Sequence, residues 1–164
     1  MMSIRTKTIA LLAAGGAALM LGLAAPAQAT TTSGNCAPSK TKYLVYQPDG
    51  QQKTASDSFK TISATTVNFT QTTDGGCVIV RFSCQTFSMN NEVIIRPLMD
   101  NGILAAPTEV TYSGKDSGDT ARAYAFDFVF ENVPAGSHSI KMQVRGSGTG
   151  FDVFLTDHSM IVHY

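Results

Sequence analysis

The sequence has no tryptophan and few charges, and it lacks the short motifs that mark common catalytic and metal sites. Charged residues make up 15% of the 164 residues. The three histidines form neither an H-x-H nor an H-E-x-x-H arrangement, no C-x-x-C pair occurs, and no G-x-S-x-G elbow is present. The usual sequence signs of a zinc site or a serine hydrolase are therefore missing.

A surplus of basic residues is also missing. The chain carries 12 basic and 12 acidic residues. Clustered Lys and Arg would be needed to attract nucleic acid or an anionic membrane. The sequence therefore predicts neither nucleic acid nor a membrane surface as a partner.

The first 29 residues have the layout of a secretory signal peptide. Arg5 and Lys7 precede an uncharged stretch over residues 8–25, and Pro26-Ala27-Gln28-Ala29 reads as a small-x-small cleavage site. A retained membrane anchor is the alternative, because about 20 apolar residues span a bilayer. The layout favours cleavage after Ala29 and a secreted protein, either periplasmic or extracellular.

The rest of the chain divides into a polar N-terminal arm over residues 30–42 and one domain over residues 43–164. No window of the domain sustains a helical apolar period. Short runs rich in β-branched and aromatic residues alternate with Gly, Pro, Asn and Asp, which predicts strands at 43–47, 58–63, 65–70, 77–87, 92–99, 108–112, 124–131, 137–145, 152–156 and 159–163. The expected fold is all-β, an antiparallel β-sandwich of jelly-roll or Greek-key type with 8–10 strands, and a closed barrel is the alternative.

Alternation along the strands predicts which side chains lie inside. Residues two apart share a face of a strand. The inward sets are Val78, Val80, Phe82 and Cys84; Tyr124, Phe126, Phe128 and Phe130; and Ile140, Met142 and Val144. Residues 132–138, with Pro134 and Gly136, are expected to form a hairpin turn.

Three cysteines follow the signal peptide, so one disulfide and one free thiol are expected after export. Cys77 and Cys84 fall in one predicted strand, about 23 Å apart, and a bridge needs Cα atoms within about 7 Å. Cys36 must then be one partner. Cys84 lies on the apolar face, so the pairing Cys36 with Cys77 is favoured and Cys36 with Cys84 is the alternative.

Two segments are candidates for chemistry. Asp157-His158-Ser159 contains triad residue types, but neighbours on an extended chain face opposite ways, so a turn between the last two strands is expected. His138 is likewise expected to face solvent beside a turn. Asp116 and Asp119 lie in an oxygen-rich loop over residues 115–120, which is a weak candidate for Ca²⁺.

The functional expectation is a non-catalytic binding module for a carbohydrate or a protein surface. It rests on what small secreted sandwiches commonly do. Tyr43, Tyr46 and Tyr112 are the candidate exposed aromatics for ligand binding. One alternative is a structural or self-assembling subunit that uses the final strand, residues 160–164, as an open edge. A small hydrolase is the other.

Overall fold

Two antiparallel β-sheets pack around one core. The computed structural model describes residues 36–47, 50–88, 90–113, 121–148 and 152–164. Their strands are β1 (Thr41–Tyr46), β2 (Gln52–Thr54), β3 (Lys60–Thr61), β4 (Val67–Gln71), β5 (Gly76–Ser88), β6 (Val93–Met99), β7 (Ile103–Leu104), β8 (Val110–Ser113), β9 (Arg122–Val133), β10 (Gly136–Gly146) and β11 (Val153–His163). The predicted antiparallel β-sandwich is confirmed. The predicted signal peptide lies outside the described residues, in which no helix is long and apolar enough to cross a bilayer.

The first sheet has the strand order β1-β11-β5-β9, with β2 also paired to β11. The second sheet has the order β3-β10-β6-β7, with β4 also paired to β10 and β8 to β6. Successive strands from β8 to β11 therefore alternate between the sheets. The expected hairpin at 132–138 is wrong, because β9 pairs with β5 while β10 pairs with β6. Asn132 and Gly136, both with positive φ, turn the chain from one sheet to the other.

The core forms where the inward faces of both sheets meet. Phe82, Phe128 and Met142 are fully buried there. The predicted inward residues of β5 and β10 are all buried: Val78, Val80, Phe82, Cys84, Ile140, Met142 and Val144. Each of these strands has neighbours on both sides, so its whole inward face is covered.

The inward stripe of β9 is only partly buried. Phe128 and Phe130 are in the core, but Phe126 is 41% exposed, and Tyr124 is half-buried. The expectation that Phe126 is a core residue is therefore wrong. Strand β9 is the last strand of its sheet, and Ala106 bridges to its outer side at Val129. No described strand continues past Phe126 on that side, so its ring is covered less than those in the central strands.

The final strand differs from expectation in two ways. The predicted strands at 152–156 and 159–163 merge into one strand, β11 (Val153–His163), which continues through an irregularity between Leu155 and His158. The strand also lies between β1 and β5 and pairs with both. The hypothesis that residues 160–164 form an open edge is therefore wrong, and that edge belongs to β1.

A disulfide joins Cys36 to Cys77 at the start of β5, with Cα atoms 5.5 Å apart. This is the pairing favoured by the sequence. The backbone N–H groups of Ser39 and Lys40 both donate to the carbonyl oxygen of Tyr164, at 3.1 and 2.9 Å. The described end of the polar arm is thus attached to the sandwich, and its last two residues, Thr41 and Lys42, already belong to β1.

Candidate functional site

The outer face of the first sheet consists of the outward side chains of β1, β11, β5 and β9 in register. One row across the strands is Tyr43, Ile161, Arg81 and Asp127. The next row is Val45, Ser159, Ser83 and Ala125. The first row carries long side chains and the second carries mostly small ones, so the surface is lower along the second row.

Two adjoining shallow depressions lie on this face, and we call them together the groove. Val45, Ser83, Gln85, Ala123, Asp157 and Ser159 line the first, with Tyr46, Gln47, Cys84 and His158. Gly50, Gln51, Lys53, Gln85, Phe154, Thr156 and Asp157 line the second. Gln85 and Asp157 border both depressions. The groove therefore offers hydroxyl, amide and carboxylate groups above a floor of small residues.

A β-bulge in β11 positions Asp157 at the middle of the groove. Leu155 pairs with Thr86 and His158 with Cys84, so two residues of β11 face the single residue Gln85. Such an extra residue bends the strand and redirects side chains, and bulges are frequent beside functional sites. Here it leaves Asp157 exposed while Leu155 and His158 both point inward.

The far end of the groove is closed by stacked rings. Phe154 and Phe87 are cross-strand partners whose ring centroids lie 4.4 Å apart with an interplanar angle of 9°. The Lys53 ammonium lies 5.7 Å from the centre of the Phe154 ring and 2.6 Å from the Asp152 carboxylate. These contacts fix one wall of the groove in place.

The three tyrosines predicted as ligand contacts occupy different environments. Tyr43 is 78% exposed on the outer face. Tyr46 is half-buried and faces inward, with its ring centroid 5.0 Å from that of His158. Tyr112 is 5% exposed, and its hydroxyl lies within hydrogen-bond distance of two carbonyl oxygens, that of Phe82 at 3.0 Å and that of Tyr124. Tyr112 is a core residue that ties the two sheets together, so its prediction as an exposed ligand contact is wrong.

The segment Asp157-His158-Ser159 is part of β11 and not the expected turn. Asp157 is exposed, His158 is buried at 5% exposure, and Ser159 lies on the outer face. Burial lowers the pKa of His158, partly offset by the carbonyl groups of Thr156 and Ser63 and by the charge of Asp157. The three side chains do not converge on one point, so they form no triad.

Cys84 lies directly opposite His158 on the neighbouring strand and is a free, buried thiol. Burial raises the pKa of Cys84 to about 12, which outweighs the lowering by the Thr156 backbone. Because the thiolate is the reactive form of cysteine, a thiol with this pKa is inert at neutral pH. This neighbouring pair does not supply an activated nucleophile.

The predicted calcium ligands Asp116 and Asp119 lie outside the described residues. Among the residues that the structure does describe, no group of three or more His, Cys, Asp or Glu side chains is placed to hold a metal ion. The calcium site stays a prediction.

At one end of the second sheet the buried His138 pairs with Asp100, whose side chain is 35% exposed. Asp100 and Asn101 both have positive φ in the tight turn between β6 and β7. This turn brings an Asp100 carboxylate oxygen within 2.7 Å of His138 Nδ1, while the Pro134 carbonyl oxygen lies 2.9 Å from Nε2. The expectation that His138 faces solvent is wrong, since its side chain is 6% exposed.

Both ring nitrogens of His138 face acceptors, and this favours the protonated imidazolium. Burial by itself would lower the pKa of His138, but the hydrogen bonds to Asp100 and Pro134 and the Asp100 charge raise it overall. Burial likewise opposes ionisation of Asp100, yet the bonds from His138 and from the Ser139 N–H lower the pKa of Asp100 overall. The pair therefore links the β6–β7 turn to the connection between β9 and β10.

We expect His138→Gln to lower the free energy of unfolding at pH 6 by about 1–3 kcal/mol, and by less at pH 9. The folded-state pKa of His138 is raised, so its stabilisation is complete below the unfolded value near 6.5 and is lost as pH rises through the folded value. Urea unfolding of both proteins between pH 5.5 and 9 measures the difference. The control is Ser137→Ala at the exposed neighbouring position, whose effect on the free energy of unfolding should not change with pH. If the loss caused by His138→Gln grew with pH, a raised pKa of His138 in the folded protein would be contradicted.

The comparisons with known proteins do not assign the chain to a family. No protein-family model matches the chain. No curated protein matches it either. Among solved structures, the CBM36-1 domain of a multidomain xylanase from the hindgut metagenome of Trinervitermes trinervoides is similar over 73% of this chain and 96% of that one, with 14% identity and a TM-score of 0.37. A similarity at this level supports no argument about a ligand.

Proposed function

We propose that the chain is an exported, non-catalytic recognition domain that binds a neutral glycan chain along the groove. The observation that carries the proposal is the row of small side chains on the outer face of the first sheet, at the bulge that exposes Asp157. The Cys36–Cys77 disulfide is consistent with an extracellular protein, because such bonds persist in oxidising compartments.

The polar groups of the groove fit a ligand rich in hydroxyl groups. Ser83 and Ser159 can donate and accept hydrogen bonds, Gln85 offers an amide, and Asp157 offers a carboxylate. The Asp157 carboxylate has no ion-pair partner among the described residues, so it remains available as an acceptor. A sugar chain presents the complementary donors and acceptors.

The charge around the groove disfavours an anionic ligand. Arg81 forms two bonds of 2.8 Å with Asp127, and Lys53 is paired with Asp152. The nearby cations are therefore already neutralised, which leaves little attraction for a polyanion. Among the residues described along the groove, none forms a deep apolar pocket of the kind that receives the aromatic anchors of a protein partner.

The outer face of the second sheet is a less suitable surface. Phe59 lies across it with the Arg96 guanidinium 3.8 Å and the Arg145 guanidinium 5.1 Å from the ring centre. Arg145 is also paired with Glu109 at 2.8 Å. These side chains cover one another around Phe59, and the small side chains Thr70, Ser137 and Ser139 line a separate depression beside Asp100.

Ser83→Tyr is expected to fill the groove and weaken glycan binding at least about tenfold, a change of about 1.4 kcal/mol. Ser83 is on the outer face of a central strand, where tyrosine is well tolerated. Binding is measured on an array of neutral oligosaccharides and by retention on insoluble cellulose, chitin and xylan, followed by titration with the best ligand.

The matched control for this experiment is Thr70→Tyr, which adds the same ring to an exposed position on the outer face of the second sheet. It should leave glycan binding unchanged. Silence across all neutral glycans, or equal binding by wild type and Ser83→Tyr, would overturn the proposal.

A further inference from the structure

We infer that a second copy of this chain pairs with the free edge of β1, so that the first sheets of two copies join into one continuous antiparallel sheet. This goes beyond glycan binding and rests on the free backbone edge of β1 and its exposed side chains, of which Val45 also lines the groove. Strand β1 ends the first sheet, and no described strand pairs with its other side.

The backbone of β1 has hydrogen-bonding groups directed at this edge. Lys40 and Tyr164 exchange both backbone bonds, N–H to O at 2.9 Å in each direction. Bonded and non-bonded pairs alternate along an antiparallel ladder. Lys42 and Leu44 therefore also bond to β11, while the N–H and C=O groups of Tyr43 and Val45 point away from it.

The side chains at the edge are the most exposed large apolar groups among the described residues. Tyr43 is 78% and Val45 67% exposed, and both lie on the outer face. Native edge strands are commonly protected by proline, by a bulge or by a charged side chain. Strand β1 has no proline, and its pairing with β11 is regular. Its one charged residue, Lys42, directs Nζ to the Asn68 carbonyl oxygen at 2.6 Å and so away from the edge.

The sequence of β1 is complementary to itself in one antiparallel alignment, with a two-fold axis at Leu44. Directly opposed residues lie on the same face of a sheet, so only some registers of the two β1 strands place outward side chains opposite outward ones. In this alignment Tyr43 of each copy opposes Val45 of the other, and they exchange their free backbone bonds. Aromatic and β-branched residues are a favourable cross-strand pair. Lys42 faces Tyr46, so like charges are not opposed.

The two strands bring only a few apolar side chains each into contact, less than the 1,200 Å² or more typical of stable complexes. The dimer is therefore weak and depends on concentration. The two-fold axis generates the Tyr43–Val45 pair twice. This repetition favours a second copy of the chain, and not a strand of an unrelated protein, as the partner of β1. The axis passes beside the groove and leaves its floor, at Ser83, uncovered.

Sedimentation equilibrium of the exported protein tests the inference. The weight-average mass should rise toward twice the monomer mass as the concentration increases from about 10 µM to about 1 mM. Val45→Lys should reduce the association constant at least about tenfold, because two ammonium groups would be placed in the apolar contact. Leu104→Lys is the control, since Leu104 is 44% exposed on another short strand and should leave association unchanged.

Cross-linking tests the position of the axis. In the proposed alignment the Leu44 residues oppose each other as a non-bonded pair with Cα atoms about 4.5 Å apart, within the range of a disulfide. Leu44→Cys should therefore cross-link two copies under oxidation, whereas Tyr43→Cys should not. A monomer at every concentration, association unaffected by Val45→Lys, or cross-linking at Tyr43 in place of Leu44 would overturn the inference. None of these results depends on glycan binding, so this inference and the proposed function can fail separately.

Discussion

Replacing Cys36 and Cys77 together by serine is expected to lower the free energy of unfolding by about 4 kcal/mol. The disulfide spans a sequence separation of 41 residues, and the loss of loop entropy in the unfolded chain grows with the logarithm of that length. The closed loop contains β1 to β4, so the bridge links the start of the fold to the central strand β5. The melting temperature should fall by about 10–20 °C.

The control for the disulfide is Cys84→Ala. This variant also removes a sulfur atom, but Cys84 is a free thiol in the core and closes no loop. Calorimetry of the three proteins should give the double serine variant much the lowest melting temperature. Equal melting of the double variant and the wild type under oxidising conditions would contradict the structural role of the bridge.

Tyr112→Ala is expected to lower the free energy of unfolding by about 3–5 kcal/mol, through the cavity that a lost core ring leaves. Tyr112 belongs to β8 of the second sheet, and its hydroxyl bonds to carbonyl groups of β5 and β9 in the first sheet. Its ring also packs against Phe82 and Tyr124, with centroids at 6.2 and 5.6 Å.

Tyr112→Phe separates the two contributions, because it keeps the ring and removes only the hydroxyl. We expect the free energy of unfolding of this variant to fall by about 1–3 kcal/mol, because the carbonyl groups of Phe82 and Tyr124 lose the hydroxyl as a hydrogen-bond donor. Urea unfolding measures both losses, and Tyr43→Ala on the outer face serves as the exposed control. A loss for Tyr112→Ala no greater than that for Tyr43→Ala would contradict the buried position.

Alternation was sufficient to predict the inside of strands that have neighbours on both sides. Val80 and Phe82 on β5 and Met142 on β10 are buried as expected. The same rule failed for Phe126, because the sequence does not reveal that β9 is the margin of its sheet. Tyr112 was predicted to be exposed without an alternation pattern, and its packing against strands of the other sheet is a tertiary contact that its own strand does not reveal.

The disulfide could be predicted because chain geometry left few choices. Two cysteines of one extended strand cannot meet, so Cys36 had to be a partner, and the apolar setting of Cys84 decided the rest. The groove could not be predicted in the same way. It depends on a bulge that places two residues of β11 against Gln85, and nothing in the local sequence marks an extra residue there. Ser83 and Ser159 are small residues that lie side by side on adjacent strands. They can be recognised as neighbours only once the pairing register of β5 and β11 is known.

The central position of β11 has a consequence for how the protein matures. Strands β1 and β5 do not contact each other through hydrogen bonds, because β11 lies between them and pairs with both. The first sheet is therefore incomplete until residues 153–163 have been synthesised. Until then β1 lacks its hydrogen-bonded partner strand, and one edge of β5 stays open. Completion of this sheet is thus expected to be a late event in folding that follows synthesis of the last strand.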